Sequence, residues 1–280
     1  MPLVRGIALT TMAMIAFASN SLLCRVALKN TDIDAASFTT IRLISGAVIL
    51  FFIAGAFRGK QNGAGNWWSA IALFGYAAGF SFAYISLSAA TGAFLLFGAI
   101  QVTMIGHGIW KGERLLWLQL VGLTLAFAGL VGLLLPGLSA PPLFGAILML
   151  SAGIAWGIYS LRGRGAGDPT RITAGNFMRS VPLTGALSLI MLYDLSFDWP
   201  GIGYAIASGA LTSGIGYVIW YTALPGLKAT QAAIVQLSVP VLVAVGGTIF
   251  LGEAATLRLV LAATAILGGI ALVILDKQRG

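Results

Sequence analysis

Gly112-Glu113-Arg114-Leu115-Leu116-Trp117 is echoed by Gly252-Glu253-Ala254-Ala255-Thr256-Leu257, and the apolar run after each pair continues in register until Gly129 falls on Gly269. The front ends repeat as well. Ile15-Ala16-Phe17-Ala18-Ser19-Asn20-Ser21-Leu22-Leu23-Cys24-Arg25 aligns with Ile154-Ala155-Trp156-Gly157-Ile158-Tyr159-Ser160-Leu161-Arg162-Gly163-Arg164. The chain thus reads as two copies of one unit, residues 1–140 and 141–280, joined near Pro141-Pro142. Each copy holds five apolar stretches. A unit with an odd number of membrane spans inserts upside down relative to its twin, which is the usual signature of an alternating-access transporter.

Composition sets the class. The chain has 280 residues, 59% hydrophobic and 9% charged, where a soluble domain carries about 25% charged residues. Its net charge of +8 comes from Lys and Arg scattered at the ends of apolar runs, where they orient membrane spans, so no nucleic-acid partner is expected. One cysteine, Cys24, allows no internal disulfide, and one histidine, His107, leaves no Cys/His cluster for a metal. No cofactor is expected. The N-terminal segment, basic and then apolar with Ala18-Ser19 following, resembles a signal peptide. Its counterpart around Trp156 lies mid-chain, so it is read as a retained helix.

A bilayer core about 30 Å thick needs roughly 20 apolar helical residues. Ten stretches qualify, at approximately 5–28, 35–57, 67–88, 90–110, 115–135, 142–162, 171–193, 200–223, 229–251 and 255–275. With the N-terminus inside, cytoplasmic segments hold Arg5, Arg58, Lys60, Lys111, Arg114, Arg162, Arg164, Arg171, Lys228, Lys277 and Arg279, against Arg25, Lys29 and Arg258 outside. The positive-inside rule therefore places both termini in the cytoplasm. The expected fold is all-α and integral to the membrane: ten transmembrane helices as two inverted five-helix repeats.

Two arginines inside the apolar runs carry the strongest individual signal. Arg42 and Arg179 occupy equivalent positions when Ala35-Ala36-Ser37-Phe38-Thr39-Thr40-Ile41-Arg42 is set against Ile172-Thr173-Ala174-Gly175-Asn176-Phe177-Met178-Arg179. Each lies about 10 Å from its helix start, and inversion puts the two near opposite faces. Snorkelling or bonding to helix-end carbonyls is one reading. Attraction of a substrate carboxylate, or a gate on each side, is the other.

Phe17 and Asn20 align with Trp156 and Tyr159, three residues apart and on one helix face in both copies. Tyr84 pairs with Tyr221, and Gln101 and Gln236 add hydrogen-bonding groups within spans. Pro182 and Pro240 should kink their helices. Glu113 and Glu253 begin the links into spans 5 and 10, where a carboxylate suits a helix N-terminus. No Asp or Glu falls inside a predicted span, and proton-coupled carriers usually depend on one. His107 reads as a packed polar residue, so uniport or exchange is expected.

The duplicated five-span unit, the in-span Arg42 and Arg179, Gln236-Leu237-Ser238-Val239-Pro240 and the junctional Gly-Glu pairs resemble the drug/metabolite transporter superfamily. The resemblance is to its EamA-type ten-span members, and within them to the bacterial YddG type of amino acid exporter. The first copy departs from the family pattern at Ile100, where a proline is common. What the resemblance implies is a basket of helices around a central cavity, and a non-enzymatic exporter of the bacterial inner membrane, monomeric, with the bilayer and a small molecule as its partners. The substrate cavity would comprise Phe17, Asn20, Arg42, Tyr84, Gln101, Trp156, Tyr159, Arg179, Tyr221 and Gln236. Small neutral or zwitterionic metabolites, amino acids foremost, are the expected cargo. A multidrug exporter of cationic compounds is the alternative, and an integral membrane enzyme would need an acid/base pair or nucleophile that the sequence does not supply.

Overall fold

A computed structural model describes residues 3–56, 65–110, 112, 117–135, 140–163, 167–224, 235, 236 and 238–276. Ten helices follow one another: α1 (Leu3–Asn30), α2 (Ala35–Ala56), α3 (Trp67–Tyr84), α4 (Ala89–Trp110), α5 (Trp117–Leu134), α6 (Leu143–Gly163), α7 (Pro169–Ile190), α8 (Trp199–Ala223), α9 (Ser238–Leu251) and α10 (Leu257–Asp276). Five of them, α1, α2, α4, α6 and α8, are apolar and long enough to cross a membrane by length and composition. In hydrocarbon a helix satisfies every interior backbone group itself, which is why such sequences adopt it. Large apolar side chains such as Val48, Phe51, Phe52, Ile249 and Phe250 face outward, a surface suited to lipid tails.

Helix starts follow local chemistry. Asp34 Oδ1 accepts from the amides of Ala36 and Ser37 at 2.8 and 2.9 Å, Asn66 caps α3 through Ser69 N, Asp168 caps α7 ahead of Pro169, and Asp198 caps α8 through Gly201 N. Each cap satisfies free N–H groups that the helix cannot. The predicted limits shift where such signals act: α3 stops at Tyr84, and Ser88 accepts from Thr91 N at 3.3 Å to start α4. Pro182 lies inside α7. The N-terminal part of predicted span 9, with Gln231, lies outside the described residues, as does Glu113.

The packing repeats with the sequence. α2 lies on α7, α5 on α10 and α4 on α9, while α3 packs on α6 as α8 packs on α1. Exchanging the five-helix halves leaves this pattern unchanged, as a pseudo-two-fold axis requires. Close contacts obey the same exchange. A Cβ on Gly129 would meet the carbonyl of Ala262, and one on Gly269 would meet the carbonyl of Gly122, so equivalent glycines touch equivalent residues in the α5–α10 contact. Small residues let membrane helices approach this closely.

One element breaks the regularity. Within α8, residues Ala207–Ile215 form wide turns, with Gly216 N–H bonding back to Leu211 O. Such π-type turns occur mostly at functional sites. Here they bring Gly209 against the carbonyl of Arg42 and the hydroxyl of Ser45, where any side chain would collide.

Candidate functional site

The wide turns of α8 face α1 and α2 and present three hydroxyls to Asn20. Asn20 Oδ1 accepts from Ser208 Oγ at 2.7 Å, Thr212 Oγ1 at 3.2 Å and Ser213 Oγ at 3.5 Å. Asn20 Nδ2 donates to Tyr76 Oη at 3.2 Å. A buried amide whose oxygen and nitrogen are both engaged is fixed in orientation.

Arg42 shares this network. Only 1% exposed, it donates from Nε to Ser213 Oγ at 3.2 Å and from Nη2 to Tyr76 Oη at 3.1 Å. Its guanidinium carbon lies 5.2 Å from the Tyr76 ring centroid and 5.1 Å from that of Phe80. A desolvated cation over a ring face gains about 2 kcal/mol, which together with the charged hydrogen bonds offsets the roughly 3 kcal/mol of placing arginine in a membrane interior. Nη1 is buried without a hydrogen-bond partner among the described residues. The Tyr84–Tyr221 register, carried back along both helices, pairs Phe80 with Tyr217 and Tyr76 with Ser213. Arg42 therefore touches both members of an equivalent pair, which places its guanidinium near the axis relating the two repeats.

In front of these groups lies a narrow cavity of about 20 Å³, room for about one water molecule. Phe17, Asn20, Tyr76, Phe80, Trp156 and Tyr217 line it together with Leu96, Phe97 and Ile100 of α4. The rings interlock: Trp156 stands 4.7 Å from Tyr217, 4.8 Å from Tyr76 and 6.0 Å from Phe17.

Of the sequence-derived site residues, Phe17, Asn20 and Trp156 line this cavity and Arg42 stands directly behind its Tyr76 and Phe80 walls. Tyr159 and Tyr221 line a second pocket with Gly163, Thr173 and Asn176. Tyr84 is buried near the α3–α4 turn and donates to Ala89 O at 3.2 Å. Arg179 donates to Gly175 O of its own helix at 3.0 Å. Gln101 is buried, its Nε2 without a partner among the described residues, and Gln236 is buried at the start of the described part of its span. Successive rings nonetheless connect the dispersed tyrosines. Tyr84, Phe80, Tyr76, Trp156, Tyr159 and Tyr221 follow one another at centroid separations of 4.7, 5.4, 4.8, 5.5 and 6.5 Å.

Both ends of this path are bridged. At one end Glu253 Oε1 accepts from Arg25 Nε at 3.1 Å and Oε2 from Ala89 N at 2.7 Å, while Arg25 Nη1 donates to Tyr84 O at 2.8 Å. The glutamate thus serves the N-terminus of α4, not that of α10 as the sequence suggested, because Gly252 at φ +62 turns the α9–α10 link back across the end of the bundle. At the other end Arg162 donates to Ser69 Oγ at 3.2 Å and Asn66 Oδ1 at 3.1 Å, and Asn66 N donates to Asn176 Oδ1 at 2.9 Å. The sequence reading missed Tyr76, Phe80, Tyr217 and the α8 hydroxyls. Extending the Tyr84–Tyr221 register by two helical turns would have found four of them, Phe80, Tyr217, Tyr76 and Ser213.

This is the architecture of a membrane transporter, two interlocked inverted repeats around a polar and aromatic cavity. The chain belongs to the EamA-like transporter family, whose model matches twice, at residues 4–135 and 143–275, and hence to the drug/metabolite transporter superfamily. It is 55% identical over 99% of its length to an uncharacterized protein of Pseudomonas aeruginosa, covering 97% of that protein. It is 25% identical to an uncharacterized transporter of Archaeoglobus fulgidus, over 85% of this chain and 86% of that one. The threonine/homoserine exporter RhtA of Salmonella typhimurium is 30% identical over 52% of this chain and 51% of its own length. A solved crystal structure shares the fold, with a TM-score of 0.68 at 20% identity, over 98% of this chain and 99% of that one.

Proposed function

We propose that the protein exports small neutral or zwitterionic metabolites, foremost amino acids including aromatic ones, by alternating access across the bacterial inner membrane. It acts as a monomeric uniporter or exchanger and not as an enzyme. The observation that carries this reading is the cavity near the pseudo-two-fold axis, walled by Phe17, Tyr76, Phe80, Trp156 and Tyr217 and backed by a buried guanidinium, with the path bridged at both ends. Aromatic walls with a few fixed polar groups are the usual makeup of a small-molecule site. At about 20 Å³ the cavity must widen to admit an amino acid, and relative rocking of the repeats supplies that motion. The similarity to RhtA over half of the chain supports the same cargo class. Export of cationic compounds is disfavoured by Arg42 and by the lack of any Asp or Glu among the described cavity residues. Charge distribution supports both termini in the cytoplasm, which puts the Arg25–Glu253 bridge on the outer side.

The test is flux in proteoliposomes with labelled threonine, phenylalanine, a nucleobase and a cationic dye. Amino acid flux that falls at least about tenfold in Trp156→Ala, which removes a ring from the cavity wall, is the expected result. Movement of the dye alone overturns the assignment.

A further inference from the structure

We propose that the hydroxyls of Tyr76 and Tyr217, backed by the Arg42 guanidinium, form a subsite for the carboxylate of the transported molecule, an inference that rests on reading the central cavity as the transport site. Donors outnumber strong acceptors around the cavity. Tyr76 Oη already accepts from Asn20 Nδ2 and from Arg42 Nη2, which uses both lone pairs of a phenolic oxygen. Its remaining capacity is its own O–H, and Tyr76 lines the cavity. Accepting from a guanidinium also makes that O–H a stronger donor. Tyr217 lines the same cavity and interacts with Tyr76 and Arg42, and its buried hydroxyl makes no hydrogen bond of good geometry among the described residues. Arg42 Nη1 is a third donor in the same condition.

Strong acceptors, by contrast, are scarce. Asn20 Oδ1 takes three hydroxyl contacts, the oxygens left are those of hydroxyls, and no acidic side chain is among the described cavity or network residues. Buried donors lacking acceptors are costly, and a buried cation lacking a counter-charge more so. A carboxylate answers both deficits, since it offers acceptors only and one negative charge. An ammonium group meets only neutral hydroxyl oxygens and adds a second positive charge beside Arg42. The lining from Leu96, Phe97 and Ile100 suits an apolar body. The class recognised is therefore a monocarboxylate with an apolar or aromatic side chain; an amino acid qualifies through its carboxylate, and its amine is not required.

Four probes share one side chain and separate these groups: phenylalanine, 3-phenylpropionate, phenylalaninamide and phenethylamine. Binding to the full chain in lipid nanodiscs should favour the two carboxylates over the two carboxylate-free probes by about 10- to 100-fold, the range for a hydrogen bond to a charged group. Binding of phenethylamine or the amide within about twofold of phenylalanine, or binding of none of the four, overturns the proposal. This comparison uses the unaltered protein, so it does not depend on any variant folding. In Tyr76→Phe and Tyr217→Phe the carboxylate-to-amide ratio should fall by about tenfold each; an unchanged ratio in both overturns the subsite. Amino acid flux retained in both variants leaves the exporter reading standing and the subsite rejected. Flux of 3-phenylpropionate that depends on Tyr217, without amino acid flux, leaves the subsite standing and removes the amino acid assignment.

Discussion

Arg42 and Arg179 hold matching positions in two copies of one unit, yet they do different things. Arg42 reaches Tyr76 and Ser213 across three helices, whereas Arg179 turns back onto the carbonyl of Gly175 one turn away. Tyr76 and Ser213 are themselves equivalents, so a guanidinium that binds both stands near the symmetry axis. Two cations cannot share that place: their mutual repulsion in a medium of low dielectric is prohibitive. Duplication therefore builds the frame twice and the axial site once. The same split marks the two ends of the path, one bridged by an ion pair and the other by neutral acceptors.

The widest separation expected is between the arginines. Arg42→Ala removes a charged donor to two buried partners and should lower substrate flux by about 100-fold or more, while Arg179→Ala should stay within about threefold. Equal losses in the two variants would break the comparison. Next come the two ends. The Arg25–Glu253 pair has side chains only 13% and 9% exposed, so Glu253→Gln should open that end more often, and Cys24, fully buried beside Arg25, reports on it. Its alkylation by an impermeant maleimide added from outside should quicken by about tenfold, whereas Ser69→Ala at the opposite end should leave the rate unchanged. The smallest effect concerns the frame. Gly269→Ala drives a methyl into the backbone of Gly122 and Ala126, while Gly268→Ala meets nothing within 4 Å. Thermal unfolding in detergent should show a loss of about 1–3 kcal/mol for the first and a change under about 1 kcal/mol for the second.

The frame was legible in the sequence because hydrophobic length and the Gly-Glu repeat are local signals, and nine of the ten spans begin and end within a few residues of the expected limits, the start of the ninth lying outside the described residues. The α8 wide turns were not legible, since Ser208-Gly209-Ala210-Leu211-Thr212-Ser213 fits an ordinary helix and widens only against Arg42 and Ser45. The Arg25–Glu253 pair spans 228 residues, and helix-start chemistry pointed the glutamate at its own helix. Tyr76 was passed over because its equivalent is Ser213, a residue of another type. Pairing by chemical likeness finds walls and misses a network in which unlike equivalents hold one guanidinium.

The run of six rings from Tyr84 to Tyr221 bears on the energy profile of passage. Neighbouring centroids are 4.7 to 6.5 Å apart, about the span of one small molecule, and each ring offers a contact worth about 0.5–1.5 kcal/mol. A flat apolar body leaving one ring meets the next before the first contact is lost. Its free energy then varies by a fraction of one contact along the route, with no deep well to detain it. On the proposed alternating-access reading such a track would sort by shape and charge class and release what it carries, so that turnover would be governed by how often the bundle rearranges and hardly by how tightly any one cargo is held.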